Sequence, residues 1–146
     1  MRYIGPGHVQ GAVEAEETFE RALEHWRLHA FGWRSALERR SGEWVGFVGL
    51  NRVGAGTTGV AENAVEIGWW IVRSRWGRGY ASEGAAALRD EAFGRLGLER
   101  IVARVQPRNA ASARVAQKLG MTLWLETTGK RGEPLHVYAL EAAARR

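Results

Sequence analysis

Apolar positions along the chain change their spacing several times, and each change marks an element. Residues 1–12 read as irregular, with Gly5, Pro6, Gly7 and Gly11 as breakers. From about Glu14 to Ala30 the apolar residues Phe19, Leu23, Trp26 and Ala30 recur at helical steps and form one stripe. Glu14, Glu16 and Glu17 lie in the first turn, where the helix dipole favours carboxylates. Gly32 is expected to end that helix. Trp33 to Arg39 and Glu43 to Val53 then read as two strands of a hairpin around Arg40-Ser41-Gly42. Residues 54–59, Gly-Ala-Gly-Thr-Thr-Gly, read as a flexible loop.

Ala64 to Val72 alternates as a third strand. Val65, Ile67, Trp69 and Ile71 share one face, and Glu66, Gly68 and Trp70 the other. A helix follows from about Tyr80 to Leu96, with Ala81, Ala85, Leu88 and Ala92 as its buried stripe and Gly97 as its cap. Its small residues, Gly84 to Ala87, let the backbone lie close to a sheet. Arg100 to Val105 is a further strand. Pro107 and Asn109 open a helix that ends at Leu119, with Gly120 as terminator. Two strands close the chain, about Thr122–Thr127 and Leu135–Glu141. The predicted order is α-β-β-β-α-β-α-β-β. It implies an α/β or α+β fold with a mostly antiparallel sheet and one parallel βαβ unit across residues 64–105.

The chain has 146 residues, which is one domain's length of core, so residues 1–146 are expected to fold as a single domain. No apolar run approaches the ~20 residues of a membrane span. The first residues lack the apolar stretch of a signal peptide. There are no cysteines, which excludes disulfides, thiolate metal sites and a covalent cysteine intermediate. Together these features predict a cytoplasmic protein. The net charge is +5, which fits an anionic partner. The arginines are scattered, with a local concentration only at Arg73, Arg75 and Arg78, so the charge does not by itself indicate nucleic acid. His25 and His29 are four apart on a helix but have no third ligand in view, so no metal site is expected. Trp44, Trp69, Trp70 and Trp124 read as core or pocket wall rather than as a stacking platform for bases.

The sharpest local signal is Trp76-Gly77-Arg78-Gly79-Tyr80-Ala81-Ser82-Glu83, between a strand and a helix start. Its glycines let successive N–H groups point into one concavity, to which the helix dipole adds positive charge. Such a site suits a phosphate or pyrophosphate. A plain strand-to-helix turn would read the same way. Ser82 stands where a dinucleotide-binding fingerprint wants glycine, and the Gly-Lys-Ser/Thr of a P-loop is absent. The second signal runs from Asn109 through Ser112 to Lys118-Leu119-Gly120-Met121. Alone, it describes a capped helix.

Together, Val65 to Ile71, Trp76 to Glu83 and Asn109 to Met121 resemble the GNAT superfamily of acetyl-coenzyme A-dependent N-acetyltransferases. Within it the chain is most similar to the RimJ/RimL-like branch, named for enzymes that acetylate ribosomal-protein N-termini. Gly46-Phe47-Val48-Gly49-Leu50 also fits, and the resemblance spans about residues 13–141. It implies the GNAT fold, a twisted sheet splayed around the parallel unit. It also implies acetyl-coenzyme A as co-substrate. Gly79 and Ala81 match the superfamily's Q/R-x-x-G-x-G/A motif, with Trp76 in place of its first residue. Gly77, Arg78, Gly79, Tyr80, Ala81 and Ser82 are then expected to hold the pyrophosphate through backbone amides. Trp69, Trp70 and Ile71 are expected to pair with the pantetheine arm, a backbone N–H near Trp69 to polarise the thioester carbonyl, and Asn109 to bond the cofactor arm or a water.

The resemblance has three departures. Ala116 stands where many members have a tyrosine acid; the resemblance implies Ser112, common in this branch, as the nearest replacement for it. Arg104 stands where some members have a catalytic glutamate, which leaves Glu66 as the base. Glu66 also has a plainer reading, as a carboxylate at a sheet surface paired with an arginine. The chain also begins after the family's usual first strand and short helix. The natural protein then starts upstream, or a sheet edge is left for a second copy and a homodimer. The expected acceptor is a primary amine, a protein N-terminus or a small molecule such as an amino acid, polyamine or antibiotic. A non-catalytic module that binds coenzyme A or nucleic acid is the rival outside the enzyme class.

Overall fold

The order of elements read from the pattern recurs in the computed structural model, which describes residues 11–143. The irregular start expected for residues 1–12 lies, up to residue 10, outside the described residues. The chain divides into two compact units, one ending at Gly32 and one beginning at Trp33.

In the first unit, helix α1 spans Ala12–His29 and begins two residues before the predicted start. It ends at Ala30, in a left-handed conformation, rather than at Gly32. Gly32 serves a different need: a Cβ there would sit 2.6 Å from the Trp26 indole nitrogen. The expected apolar stripe is only partly covered. No α1 residue is buried, and Phe19 is 60% exposed. The His25 ring bonds through Nδ1 to the Phe31 carbonyl at 2.8 Å and lies beside the His29 ring.

The second unit carries a six-stranded sheet: β1 (Trp33–Leu37), β2 (Trp44–Arg52), β3 (Val65–Ile71), β4 (Arg100–Val105), β5 (Thr122–Thr128) and β6 (Pro134–Glu141). Helix α2 spans Tyr80–Phe93 between β3 and β4, and α3 spans Ala110–Lys118 between β4 and β5. The spatial order is β1-β2-β3-β4-β6-β5. All neighbours are antiparallel except β3 and β4, as the sequence predicts.

The core follows from the alternation. Ile67, Ile71, Val48, Ile101 and Ala103 are buried, as are Ala85, Leu88 and Ala92 of α2. The small N-terminal half of α2 has the expected effect: a Cβ on Gly84 would come within 2.9 Å of the Val48 side chain. On the opposite sheet face, Gly49 and Gly68 stand beside Trp33 in register. A Cβ on either would come within about 2.8 Å of the Trp33 side chain, 2.8 Å at Gly49 and 2.6 Å at Gly68. Only glycines let that indole lie on the sheet.

Two expectations need correction. Helix α2 ends at Phe93, not near Leu96. The Leu96 N–H reaches back five residues to the Glu91 carbonyl, which breaks the four-residue ladder, and Gly94 rather than Gly97 is the cap. Loop 54–59 is tied down rather than free. Val53, Thr57 and Val60 are buried, Val53 and Val60 against Val102, Val137 and Ala139. Thr58 exchanges hydrogen bonds with β5, its N–H to the Thr128 carbonyl and its carbonyl from the Thr127 hydroxyl.

Arg34 of β1 makes a two-pronged hydrogen bond to Glu91 of α2, at 2.7 and 2.8 Å. That bond, aided by Arg95, holds the Glu91 carboxyl below the usual carboxylate range. A depressed folded-state pKa contributes stability above the unfolded value of roughly 4.3 and loses it as pH falls through the folded value. Arg34 is 39% exposed, so solvent screens part of the effect. Glu91→Gln is therefore expected to cost about 1–2 kcal/mol at neutral pH. It should also flatten the fall in stability below about pH 4. Urea melts of both proteins between pH 2 and 7 check this. Parallel stability curves through the acid range would remove Glu91 from the account.

Candidate active site

The parallel pair at the centre of the sheet forms a fork. Strands β3 and β4 register at Glu66 and Val102. On its far side β3 stays paired with β2 out to Ile71, and β4 stays paired with β6 out to Val105. Past Glu66, the edge of β3 that faces β4 has no registered strand partner among the described residues. Carboxyl ends of parallel strands at such a parting are where open α/β sheets bind ligands.

The chain leaves β3 through a single 3-10 turn, Arg73–Arg75. The Trp76 indole donates to the Ile71 carbonyl at 2.8 Å and fixes the entry to the glycine loop. Gly77 and Gly79 have φ of 75° and 83°, the left-handed region that glycine adopts without strain. The first helical bond of α2 is Glu83 N–H to the Gly79 carbonyl. Among the described residues, the N–H groups of residues 77–82 find no acceptor within the protein. Such donors, at a helix start, form a cradle for an anion.

The side chains around that cradle are engaged elsewhere. The Tyr80 hydroxyl donates to Glu38, and Arg75 pairs with Glu38 and Glu43. The Ser41 hydroxyl, more than Tyr80, holds the Glu38 carboxyl below its usual range. Arg78 is exposed. Tyr80 can thus serve an anion through its N–H while its ring buttresses the loop.

On the other arm of the fork, the Asn109 Oδ1 accepts the Ser112 N–H at 3.1 Å and caps α3. The Ser112 hydroxyl in turn accepts the Trp69 indole N–H at 3.3 Å. This bond joins β3 to α3 across the parting. With its oxygen engaged by the indole, the Ser112 hydroxyl keeps its own proton to donate.

Glu66 lies on the sheet face opposite Trp69, by strand alternation. Its carboxylate accepts two hydrogen bonds from Arg104, from Nε at 2.5 Å and from Nη2 at 3.0 Å. The third arm of Arg104, Nη1, donates to the Thr57 hydroxyl at 2.8 Å. The Glu66 hydrogen bonds outweigh burial and raise the Arg104 pKa, so the guanidinium stays charged. The pairing that the sequence left as an alternative for Glu66 is therefore present. The structure brings Trp69 and Ser112 together, and separately Glu66, Arg104 and Thr57. Sequence reading noted Arg104 for the acids it replaces, did not join it to Glu66, and gave Thr57 no role. The available signal was parity: Arg104 lies two residues past Val102, the register partner of Glu66, and so on the same face.

Residues 1–122 match the family model described as "Acetyltransferase (GNAT) domain". The chain belongs to the GNAT acetyltransferase family. The uncharacterised protein YkkB of Bacillus subtilis (strain 168) is 36% identical over 105 residues, 70% of this chain and 57% of YkkB. The chain thus spans little more than half the length of that curated relative. An acetyltransferase from Agrobacterium tumefaciens str. C58 is 33% identical with a TM-score of 0.77, over 94% of this chain and 76% of that one. The yncA protein of Salmonella typhimurium, solved with acetyl-CoA, shares the fold at 20% identity and a TM-score of 0.73, over 97% and 80% of the two chains.

GNAT acetyltransferases use acetyl-coenzyme A. The residues present here fit that group. Six unpaired N–H groups, of residues 77–82, offer donors to a pyrophosphate. The free edge of β3 offers strand-like pairing to an amide-bearing arm. With its Oδ1 spent on the helix cap, Asn109 has its Nδ2 group left for a cofactor carbonyl.

Proposed function

We propose that residues 1–146 form one acetyltransferase domain that moves an acetyl group from acetyl-coenzyme A to a primary amine, by direct attack in a ternary complex. The observation that carries this reading is the fork itself. Its helix side holds free amide donors and Ser112, and its opposite face holds the Glu66 carboxylate. Donor and acceptor can then meet from two sides of one sheet. When bound, acetyl-coenzyme A supplies a thioester carbonyl already activated toward amines.

The chain's own residues do the rest. Residues 77–82 bind the pyrophosphate through N–H groups, and Trp69, Trp70 and Ile71 align the pantetheine arm along β3. An N–H near Trp69 stabilises charge on the carbonyl oxygen. Glu66 accepts the amine proton through a water, using lone pairs that Arg104 leaves open. Ser112 donates a hydrogen bond to the sulfur as charge builds there. The acceptor is a protein N-terminus, as the RimJ/RimL-like motif pattern suggests, and the reaction belongs in the cytoplasm. A small amine is the second acceptor class, because the face that holds Glu66 also carries Trp33, Phe47 and Trp70, apolar rings against which a small amine can pack.

The test is an acceptor screen with peptides and small amines, following free thiol release from acetyl-coenzyme A. Amine-dependent release supports the enzyme. Coenzyme A binding without turnover on any amine would reduce the chain to a binding module.

Ser112→Ala separates the two sides of the site. A donor to developing charge is worth on the order of 1–3 kcal/mol, so turnover should fall roughly ten- to a hundredfold. The KM for acetyl-coenzyme A should stay near the parent value, because the pyrophosphate is held at residues 77–82. An unchanged rate would make Ser112 only the hydrogen-bond partner of Trp69.

A further inference from the structure

Thr57 is the one polar residue in the buried class among the described residues, at 5% exposure, and its hydroxyl takes the third arm of Arg104. The other two arms hold Glu66. We propose that Arg104 is a positioning residue: it fixes the Glu66 carboxylate at the fork and couples it to the 54–59 loop through Thr57. This rests on the reading of Glu66 as the base.

The geometry favours a device over an incidental surface pair. Arg104 and Glu66 side chains are 26% and 15% exposed, so the pair is shielded enough for its orientation to matter. A guanidinium fork grips both carboxylate oxygens at once and sets the plane of the group as well as its place. Arg104 is itself held. It lies on β4 opposite Val137 of β6, and its Nη1 is fixed by a hydroxyl whose loop is pinned by Val53, Val60 and the Thr58 hydrogen bonds to β5. Glu133, in the β5–β6 turn, also raises the Arg104 pKa, while Asn51, the β2 neighbour of Glu66, is uncharged. Among the described residues, the ion pair of the Glu66 carboxylate is with Arg104. The loop that leads from β2 into β3 ends at the same guanidinium. A shift of that loop when an acceptor docks would reach Glu66 through two hydrogen bonds in series.

The experiment measures kcat and KM for Thr57→Val, Arg104→Lys, Arg104→Ala, Glu66→Gln and the Glu66→Gln/Arg104→Ala double variant. Thermal melts confirm that each is folded at the assay temperature. Thr57→Val keeps shape and charge and removes one acceptor. It should lower kcat about three- to tenfold and leave the KM for acetyl-coenzyme A unchanged. Arg104→Ala should lower kcat about thirtyfold or more, and Arg104→Lys should recover part of that loss. In the Glu66→Gln background, Arg104→Ala should cost less than threefold, since the group it positions is gone. If Arg104→Ala costs the same factor with and without Glu66, Arg104 does not act through that carboxylate and the proposal fails alone. Thr57→Val at the parent kcat removes the coupling to the loop. A Glu66→Gln protein at the parent rate brings down the base reading, and the positioning role with it.

Discussion

Gly79→Asp should weaken coenzyme A binding about a hundredfold or more and leave the fold intact. Gly79 is the N-cap of α2 at φ 83°, and a Cβ there would meet nothing within 4 Å. The backbone strain of an L residue in this region is roughly 1–2 kcal/mol, and aspartate tolerates it better than most. Its carboxylate would stand at the helix start, beside the Ala81 and Ser82 N–H groups. Those are the donors assigned to the pyrophosphate. The new carboxylate would therefore occupy the cradle and repel the anion. Two unit charges at 4 Å repel by about 4 kcal/mol at an effective dielectric of 20, and a hundredfold in affinity needs only about 2.7 kcal/mol. Gly79→Ala brings the strain without the charge and should lose far less. Pantetheine, which has no phosphate, should bind parent and variant alike. Calorimetry with coenzyme A and with pantetheine, beside melting curves, reads all four quantities. Equal coenzyme A affinity in parent and Gly79→Asp would remove the anion from this loop.

Local signals in the sequence carried the strands and failed at the long-range contacts. Arg100–Val105 is legible to the residue, because a breaker precedes it at Gly97 and Pro107 follows it. The end of α2 is not, since Gly94 and Gly97 are equally good caps until the Leu96 bond to Glu91 chooses between them. The 54–59 loop shows the deeper difficulty. Its glycines predict freedom, yet Val53, Thr57 and Val60 meet β4, β5 and β6, which lie more than forty residues further along the chain. No local pattern encodes those contacts. At the site, the cradle was readable because it is built from consecutive backbone groups. That Glu66 could pair with an arginine was readable, but which arginine was not, because the choice needs the parallel register of two strands joined by a whole helix.

Glu66→Gln is expected to cut turnover about a hundredfold, with acetyl-coenzyme A affinity changed less than twofold. Glutamine keeps the shape and loses the proton acceptor. Its amide can still accept one hydrogen bond from Arg104, but its NH2 faces the second arm without an acceptor. Some stability should go with that bond, about 1–3 kcal/mol, so assays belong well below the melting temperature. A merely destabilised protein and one that has lost its base differ in how the deficit depends on the acceptor. A lysine-like amine, with a pKa near 10.4, arrives protonated at pH 7, whereas an α-amine near 7.7–8.0 is partly neutral already. A missing base should therefore hurt the lysine-like acceptor more, and the deficit should narrow for both as pH rises toward the amine pKa. Loss of structure would lower both rates by one factor at every pH. A uniform deficit across acceptors and pH would leave Glu66 as the partner of Arg104 and give the proton to water alone.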